Sequence, residues 1–286
     1  MSYTIRILRI DDADYPVHLR SIKSAPQLLY YIGDISIIST PLIGIVGTRR
    51  SSPYGRWAAR EIAASVARCG IPVVSGMAEG IDSAAHWGCI AGGAPTVAVL
   101  GTGIDVPFPE SNIKLYNTIA HKGLILSEYP PGAIGWKSNF PERNRIISGL
   151  SKSVVVVEGA LKSGSMITAK LALEQGRDVF AVPGNIDQPN SVGVNRLISD
   201  GAVPILSIED AARILGIGDA ATGLAISNLT DDEKLIIGTI LESPGVSAEY
   251  LALKTGLSVR ETTVLATALE LKGFLRSEGQ RLFIAK

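Results

Sequence analysis

Only two cysteines, Cys69 and Cys89, stand in 286 residues, and neither their spacing nor their neighbours suit a metal or a redox pair. A disulfide framework is therefore not expected. The three histidines, His18, His86 and His121, are scattered and form no metal-ligand constellation with those cysteines. No apolar run approaches the roughly 20 residues that cross a bilayer. The opening MSYTIRILRIDDADYP lacks the charged-then-apolar pattern of a signal peptide. These absences point to a soluble, cytoplasmic protein without membrane contact. Net charge is also missing: 27 basic residues meet 27 acidic ones, which excludes a uniformly basic nucleic-acid coat.

What is present is apolar. Hydrophobic residues make up 46% of the chain and charged ones 19%, a composition that buries a core rather than one that stays disordered. The length allows one large core with a small appendage, or two domains. The balanced charge is unevenly spread. Residues 137–170 hold six bases against the acids Glu142 and Glu158, and residues 42–60 hold four arginines and no acid. Residues 228–250 hold five acids and only Lys234. Positive charge gathers in the middle of the chain.

From residue 42 onward, short β-rich runs alternate with helical segments. Strands are expected at Leu42–Val46, Pro72–Val74, Thr96–Leu100, Leu124–Ser127, Ser153–Val157, Asp178–Val182 and Val203–Leu206. Helices are punctuated between Ser52-Pro53 and Gly70, between Ser111 and Gly123, and between Ser165 and Gly176. This alternation predicts an α/β fold, a Rossmann-like, mostly parallel sheet with helices on both faces, with ligands received at the carboxyl ends of its strands. Residues 1–40 form an N-terminal extension, and 41–215 the Rossmann-like domain. The small, glycine-rich stretch 216–228 reads as a linker. Residues 229–286 read as three helices and a hairpin, a small C-terminal winged-helix domain.

Two segments carry chemistry. In Phe140-Pro141-Glu142-Arg143-Asn144-Arg145-Ile146-Ile147, Pro141 suits the first helical position. Arg143 then shares a stripe with Ile146, Ile147 and Leu150, so it faces inward at the open end of the helix. There it either grips a phosphate or caps a carbonyl. Arg145 points about 200° away, at roughly 100° per residue, as a second contact or a solvated charge. Just before them, Trp136 is expected as a buried loop anchor. Lys137 and Phe140 suit a single strand, the cation following the backbone and the ring stacking on a base. The second segment, Gly159–Ser165, nearly matches the phosphate loop GxxxxGK[ST] but has Ser165 where the lysine belongs. It offers either free N–H groups to a phosphate or ordinary N-capping by Ser165. Lys170, farther along, reaches the same groove or belongs to a solvated face. After the first strand, Gly47-Thr48-Arg49 is no dinucleotide fingerprint, and Arg49 supplies a cation across from Arg143. Arg50 and Arg56 read as surface charges. Asp82 and His86, four apart on a helix, suit a structural hydrogen bond better than a dyad, since no nucleophile accompanies them.

Blocks running in order over this region strongly resemble the DNA-processing protein A family (DprA, also called Smf). They are VGTRRSSPYG, SGMAEGIDSAAH, VLGTGIDVPFP, FPERNRIISGLS, VVVVEGALKSGSMITAKLALEQGRDVFAVPG and GVNRLISDGA. The resemblance implies a Rossmann-like domain that binds and protects single-stranded DNA, loads the RecA recombinase on it in natural transformation, and self-associates as a homodimer. It places Arg49 in a Gly-Ser-Arg motif whose middle residue here is Thr48. Glu79 departs from the basic or neutral residue usual at its position.

The expectation is thus a binding protein without cofactor. Arg49, Lys137, Arg143 and the Gly164-Ser165 amides hold phosphates, and Phe140 stacks on a base. Asn144, Arg145, Thr168 and Lys170 complete the DNA-binding set. A rival is a nucleotide phosphoribohydrolase of the lysine-decarboxylase-like Rossmann group. Its Pro-Gly-Gly-x-Gly-Thr signature is absent from Lys162–Thr168. A transcription regulator is a third reading, but 258–272 offers few groove-reading side chains, and a protein contact suits that helix better.

Overall fold

Seven short runs, β3 (Leu42–Val46), β4 (Val73–Ser75), β5 (Thr96–Leu100), β6 (Leu124–Ser127), β7 (Ser151–Val156), β8 (Asp178–Ala181) and β9 (Val203–Pro204), pair in parallel as the alternation predicts. Their near-continuous apolar character follows from burial on both faces. The computed structural model describes residues 3–40, 42–209, 211–215, 229–243, 245–271, 274–279 and 281–284. The expected linker, 216–228, lies outside the described residues.

Two further strands come from the N-terminal extension. β1 (Arg6–Arg9) and β2 (Leu28–Gly33) pair antiparallel, and β2 continues antiparallel onto β6. The extension is therefore an edge of the same sheet. Leu8, Tyr15, Leu19 and Leu29 join the main core, between the strands and beside the short helix α1 (Val17–Arg20). The full order is β1-β2-β6-β5-β4-β3-β7-β8-β9. The chain winds outward from β3 in one direction, then restarts beside it with β7. The boundary between β3 and β7 is thus the topological switch point, where open α/β sheets leave a crevice beyond the strand ends.

Helices cover both faces. On one, α2 (Pro53–Arg68) and α3 (Ile81–Ala91) pack Ala59, Ile62 and Ile81 against Ile43 and Ile45. On the other, α5 (Asn139–Leu150) crosses β7, β3, β4 and β5, with Ile146, Ile147 and Leu150 in the core. Beside α5 on that face lies α6 (Gly164–Glu174), followed in the chain by α7 (Val192–Ser199). Between α3 and α5 in sequence, α4 (Ile113–Lys122) seats Leu115, Tyr116 and Ile119 against Ile125. A short helix, α8 (Ala211–Ile214), follows β9. Among the described residues no helix is long and apolar enough to cross a membrane.

Two helix starts differ from expectation. α5 begins at Asn139, so Pro141 is its third residue. The missing proline N–H costs nothing there, because none of the first four has an intrahelical acceptor. α6 begins at Gly164 behind Ser163, and Ser165 does not cap it.

The chain divides into two compact units, Met1–Ala221 and Thr222–Lys286. The second contains α9 (Asp231–Glu242), α10 (Ala248–Thr255) and α11 (Val259–Leu271), followed by the antiparallel pair β10 (Leu275–Glu278) and β11 (Arg281–Ile284). A Thr230–Glu233 capping box starts α9. Ile236, Ile240, Leu251, Leu269 and Leu282 share its core.

Candidate nucleic-acid interface

A crevice of about 690 Å³ opens beyond the carboxyl ends of β3 and β7. One wall is the loop after β3 with Thr48, Arg49 and Arg50; the opposite wall is the start of α6 with Ser163, Gly164 and Ser165. The open end of α5 closes the third side. All the residues expected from the sequence line it except Arg145 and Lys170. Two stretches more than a hundred residues apart meet because β3 and β7 are neighbours.

The loop after β3 is fixed from below. Glu158, at the end of β7, is buried and turns its carboxylate to the start of α2. Ser52 donates to it through both its backbone N–H (2.9 Å) and its hydroxyl (2.5 Å). The Thr48 N–H donates to the Glu158 carbonyl at 2.8 Å. A carboxylate at a helix N-terminus complements the helix dipole. Glu158, counted in sequence only as an acid inside a basic stretch, thus faces away from the crevice and leaves its cations undiluted. Its position directly after a buried strand was the available signal. From the other side, the Ile81 N–H donates to the Thr48 carbonyl at 3.3 Å. Gly80, at φ 84°, packs so closely that a Cβ there would lie 2.5 Å from that same oxygen.

Arg143 lies deeper than the sequence indicates. It is 4% exposed. Its Nη1 donates to the carbonyls of Gly76, at 2.9 Å, and Val99, at the ends of β4 and β5. Its Nε approaches the Asn144 Oδ1 at 3.4 Å. A Cβ on Gly76 would come within 2.5 Å of Nη2. The arginine therefore caps carbonyls at the crevice floor, the second of its two sequence readings. The inward stripe is as expected, but it carries Arg143 into the core. Burial lowers its pKa to about 10, Asp82 opposes that shift, and Arg49 adds to it. Asp82 is itself buried, with a pKa raised by desolvation and held back by Arg143 and by N–H donors such as Ala78.

The expected Asp82–His86 pair does not form. His86 is wholly buried, and its Nδ1 lies 2.7 Å from the Thr96 hydroxyl. That hydroxyl spends its proton on the Val73 carbonyl at 2.8 Å, so Nδ1 is the donor and the ring is the Nδ1–H tautomer. Its Nε2 has no partner among the described residues. Burial, with Arg143 next, drives its pKa down to about 3.

The rim is different. Arg49 and Lys137 are exposed. The Arg49 guanidinium sits 5.1 Å from the centre of the Phe140 ring, a cation–π contact. Phe140 is half-buried against Gly101 and 5.3 Å from Phe108. Phe108 belongs to one of the resembling blocks, yet it was not singled out from sequence. Arg50, read there as a surface charge, lines the crevice. Trp136, expected as a buried anchor, is 72% exposed. The anchoring falls instead to Asn139, buried, whose Nδ2 donates to the Gly101 carbonyl at 3.2 Å.

Asn144 ties α5 to α6 by donating to the Gly164 carbonyl at 3.3 Å. Ser165 is buried, with its hydroxyl 2.8 Å from that of Ser163. Thr168, also buried, donates to the Gly164 carbonyl at 3.4 Å. Helical geometry leaves the Gly164 and Ser165 N–H groups without an intrahelical acceptor. Both residues line the crevice, which meets the anion-favouring end of the helix.

Two expected contacts lie elsewhere. Arg145 pairs with Glu128 through Nη2 at 2.7 and 2.8 Å, on the far side of α5. The 200° separation from Arg143 sends it there. Lys170 projects outward, 3.7 Å from Glu174 one turn on, both largely exposed. The linear basic stretch 137–170 is thus divided among different faces.

Fold and crevice together define a Rossmann-like α/β protein with an anion-suited cleft at its switch point. The chain belongs to the DNA recombination-mediator protein A family, whose sequence pattern matches residues 6–216. It is 46% identical over 216 residues to the Smf protein of Synechocystis, covering 74% of this chain and 54% of that one. It is 42% identical over 201 residues to DprA of Streptococcus pneumoniae, covering 70% and 71%. The chain thus spans only about half the length of the Synechocystis relative. The X-ray structure of the pneumococcal DprA superposes with a TM-score of 0.71 at 40% identity, over 74% of each chain. DNA processing protein A of Helicobacter pylori, described for its single-stranded DNA binding mode, superposes with a TM-score of 0.68 at 32% identity, over 75% of this chain and 97% of that one.

Proposed function

We propose that the chain binds single-stranded DNA along the switch-point crevice. The observation that carries this reading is the convergence of exposed cations, two free helix-start amides and a half-buried aromatic ring on one open cleft. Arg49, Arg50 and Lys137 neutralise phosphates, and the Gly164 and Ser165 N–H groups bind one more. Phe140, held from behind by Arg49, offers a stacking surface. Arg143, Asn144 and Thr168 shape this site from beneath. A duplex, whose bases are already stacked and paired, gains nothing from such a ring. The described binding mode of the Helicobacter pylori relative supports the same ligand.

Family membership further supports protection of incoming single strands in the cytoplasm and loading of RecA on them, with two copies of the chain acting together. The site serves binding, not turnover. The second unit, three helices and a hairpin, is a winged helix on this reading. Its acidic first helix, with Asp231, Asp232 and Glu233, suits a protein partner better than a duplex.

Titration with single-stranded and duplex oligonucleotides of equal length across a salt series tests the reading. Single strands are expected to bind more tightly, with a log–log salt slope of about −2 to −3 for three or four phosphates. A flat response or a duplex preference refutes it. Hydrolysis of a mononucleotide by the same preparation would favour the phosphoribohydrolase instead.

A further inference from the structure

Beside the crevice lies a smaller cavity of about 100 Å³, walled by Arg49, Ala78, Glu79, Phe108, Phe140 and Arg143. Two phenyl rings, two guanidinium groups and one carboxylate border it. The carboxylate is out of place in a cleft that receives phosphates, since like charges repel at this range. Glu79 is nevertheless held there. The Ser111 hydroxyl donates to its Oε1 at 2.7 Å. The Asn112 side chain donates to the carbonyl of Met77 at 2.9 Å, fixing the loop two residues earlier. Met77 itself has φ 56°, a left-handed conformation uncommon outside glycine. Gly80 fixes the loop on the other side against the backbone of Thr48 and Arg49. Both flanks of Glu79 are thus tied down, and Oε2 carries no hydrogen bond from a described residue.

We propose that Glu79 selects the base of the bound strand, favouring bases that present an amino donor and disfavouring thymine. The inference rests on the single-strand reading above. An ionised carboxylate only accepts hydrogen bonds. Cytosine and adenine present exocyclic amino groups, and guanine presents one beside a ring N–H. Thymine offers no amino group, only its ring N3–H set between two carbonyl oxygens whose lone pairs repel a carboxylate. Phe108, 46% exposed, and Phe140 provide apolar faces for the ring whose edge Glu79 reads. At about 100 Å³ the cavity takes the edge of one base rather than two, so selection acts on one base per site. Ser111 holds the carboxylate before the strand arrives, which reduces the ordering cost of the contact.

Anisotropy titrations with dC and dT homopolymers of equal length, and with a dT strand carrying one central guanine, test this on the full chain and on Glu79→Ala. Removing an acid strengthens binding to any strand, so the readout is the ratio of affinities. The unaltered chain is expected to bind the dC strand about fivefold more tightly than dT, as for about 1 kcal/mol of base discrimination. The single guanine should restore much of the dT deficit, and Glu79→Ala should bring the dC/dT ratio to near unity. Tight binding with a ratio of one in the unaltered chain overturns the selectivity and leaves the binding function standing. A preference that survives Glu79→Ala also overturns it, by placing the selection elsewhere. No binding to any strand refutes the function and the selectivity together.

Discussion

The floor and the rim of the crevice use arginine in opposite ways. On the floor, Arg143 is 4% exposed and satisfies backbone carbonyls at the ends of two strands. At the rim, Arg49 is exposed and rests on an aromatic ring. A buried guanidinium is fully desolvated, so its hydrogen bonds hold the fold and little of its charge is left over for a ligand. An exposed one costs the fold nothing to remove and keeps its donors for an incoming phosphate. Proximity to a cleft is therefore a poor guide to which cation binds. What each donor already holds decides the matter.

The widest separation should come from Arg143→Ala. Removing it strands two carbonyls and the buried Asp82, and should cost about 3–5 kcal/mol of stability, read from urea denaturation. An unchanged midpoint would move Arg143 from floor to rim. Its effect on DNA affinity should be measured where the variant remains folded, because loss through unfolding mimics loss of a contact.

Beneath the floor, His86 should make stability pH-dependent. Its folded pKa, about 3, lies far below the usual imidazole value. The stability from its neutral ring is thus fully present above pH 6.5 and lost as pH falls toward 3. Between pH 7 and pH 5 that loss is roughly 2 kcal/mol. Asp82, with a raised pKa, acts in the opposite sense, gaining stability as pH falls through its folded value. His86→Asn keeps a donor toward Thr96 and should flatten the pH 5–7 slope. An equal slope in both proteins would dissociate His86 from the effect.

At the rim, Arg49→Ala and Lys137→Ala should each leave the melting temperature unchanged and weaken single-strand binding by about 1–1.5 kcal/mol. Each should also make the salt slope shallower by about 0.7. A fall in stability for Arg49→Ala would show that its contact with Phe140 belongs to the fold.

The smallest effect is expected at Lys170. Exposed, paired among the described residues with Glu174 alone and turned away from the crevice, it should change neither affinity nor stability by more than about 0.5 kcal/mol on replacement by alanine. A loss comparable to that of Lys137→Ala would extend the strand's path along the outer face of α6.

By itself the sequence determined the parallel core, because β-branched runs and punctuated helices encode their own local structure. It also determined the inward stripe of α5, since a helical period needs no tertiary information. The ordered resemblance carried the family. The N-terminal strands were not legible: Leu28–Gly33 has no clean alternation, and its partner, β6, lies about ninety residues on. Nor were the fates of the arginines. Helical phase sent Arg143 inward and Arg145 outward, but only the packed ends of β4 and β5 bring the carbonyls of Gly76 and Val99 to Arg143. Only the fold brings Glu128 to Arg145. Spacing along a helix sets direction. Burial depth and partners depend on which strands end beneath it, and those come from remote parts of the chain that only the tertiary structure brings together.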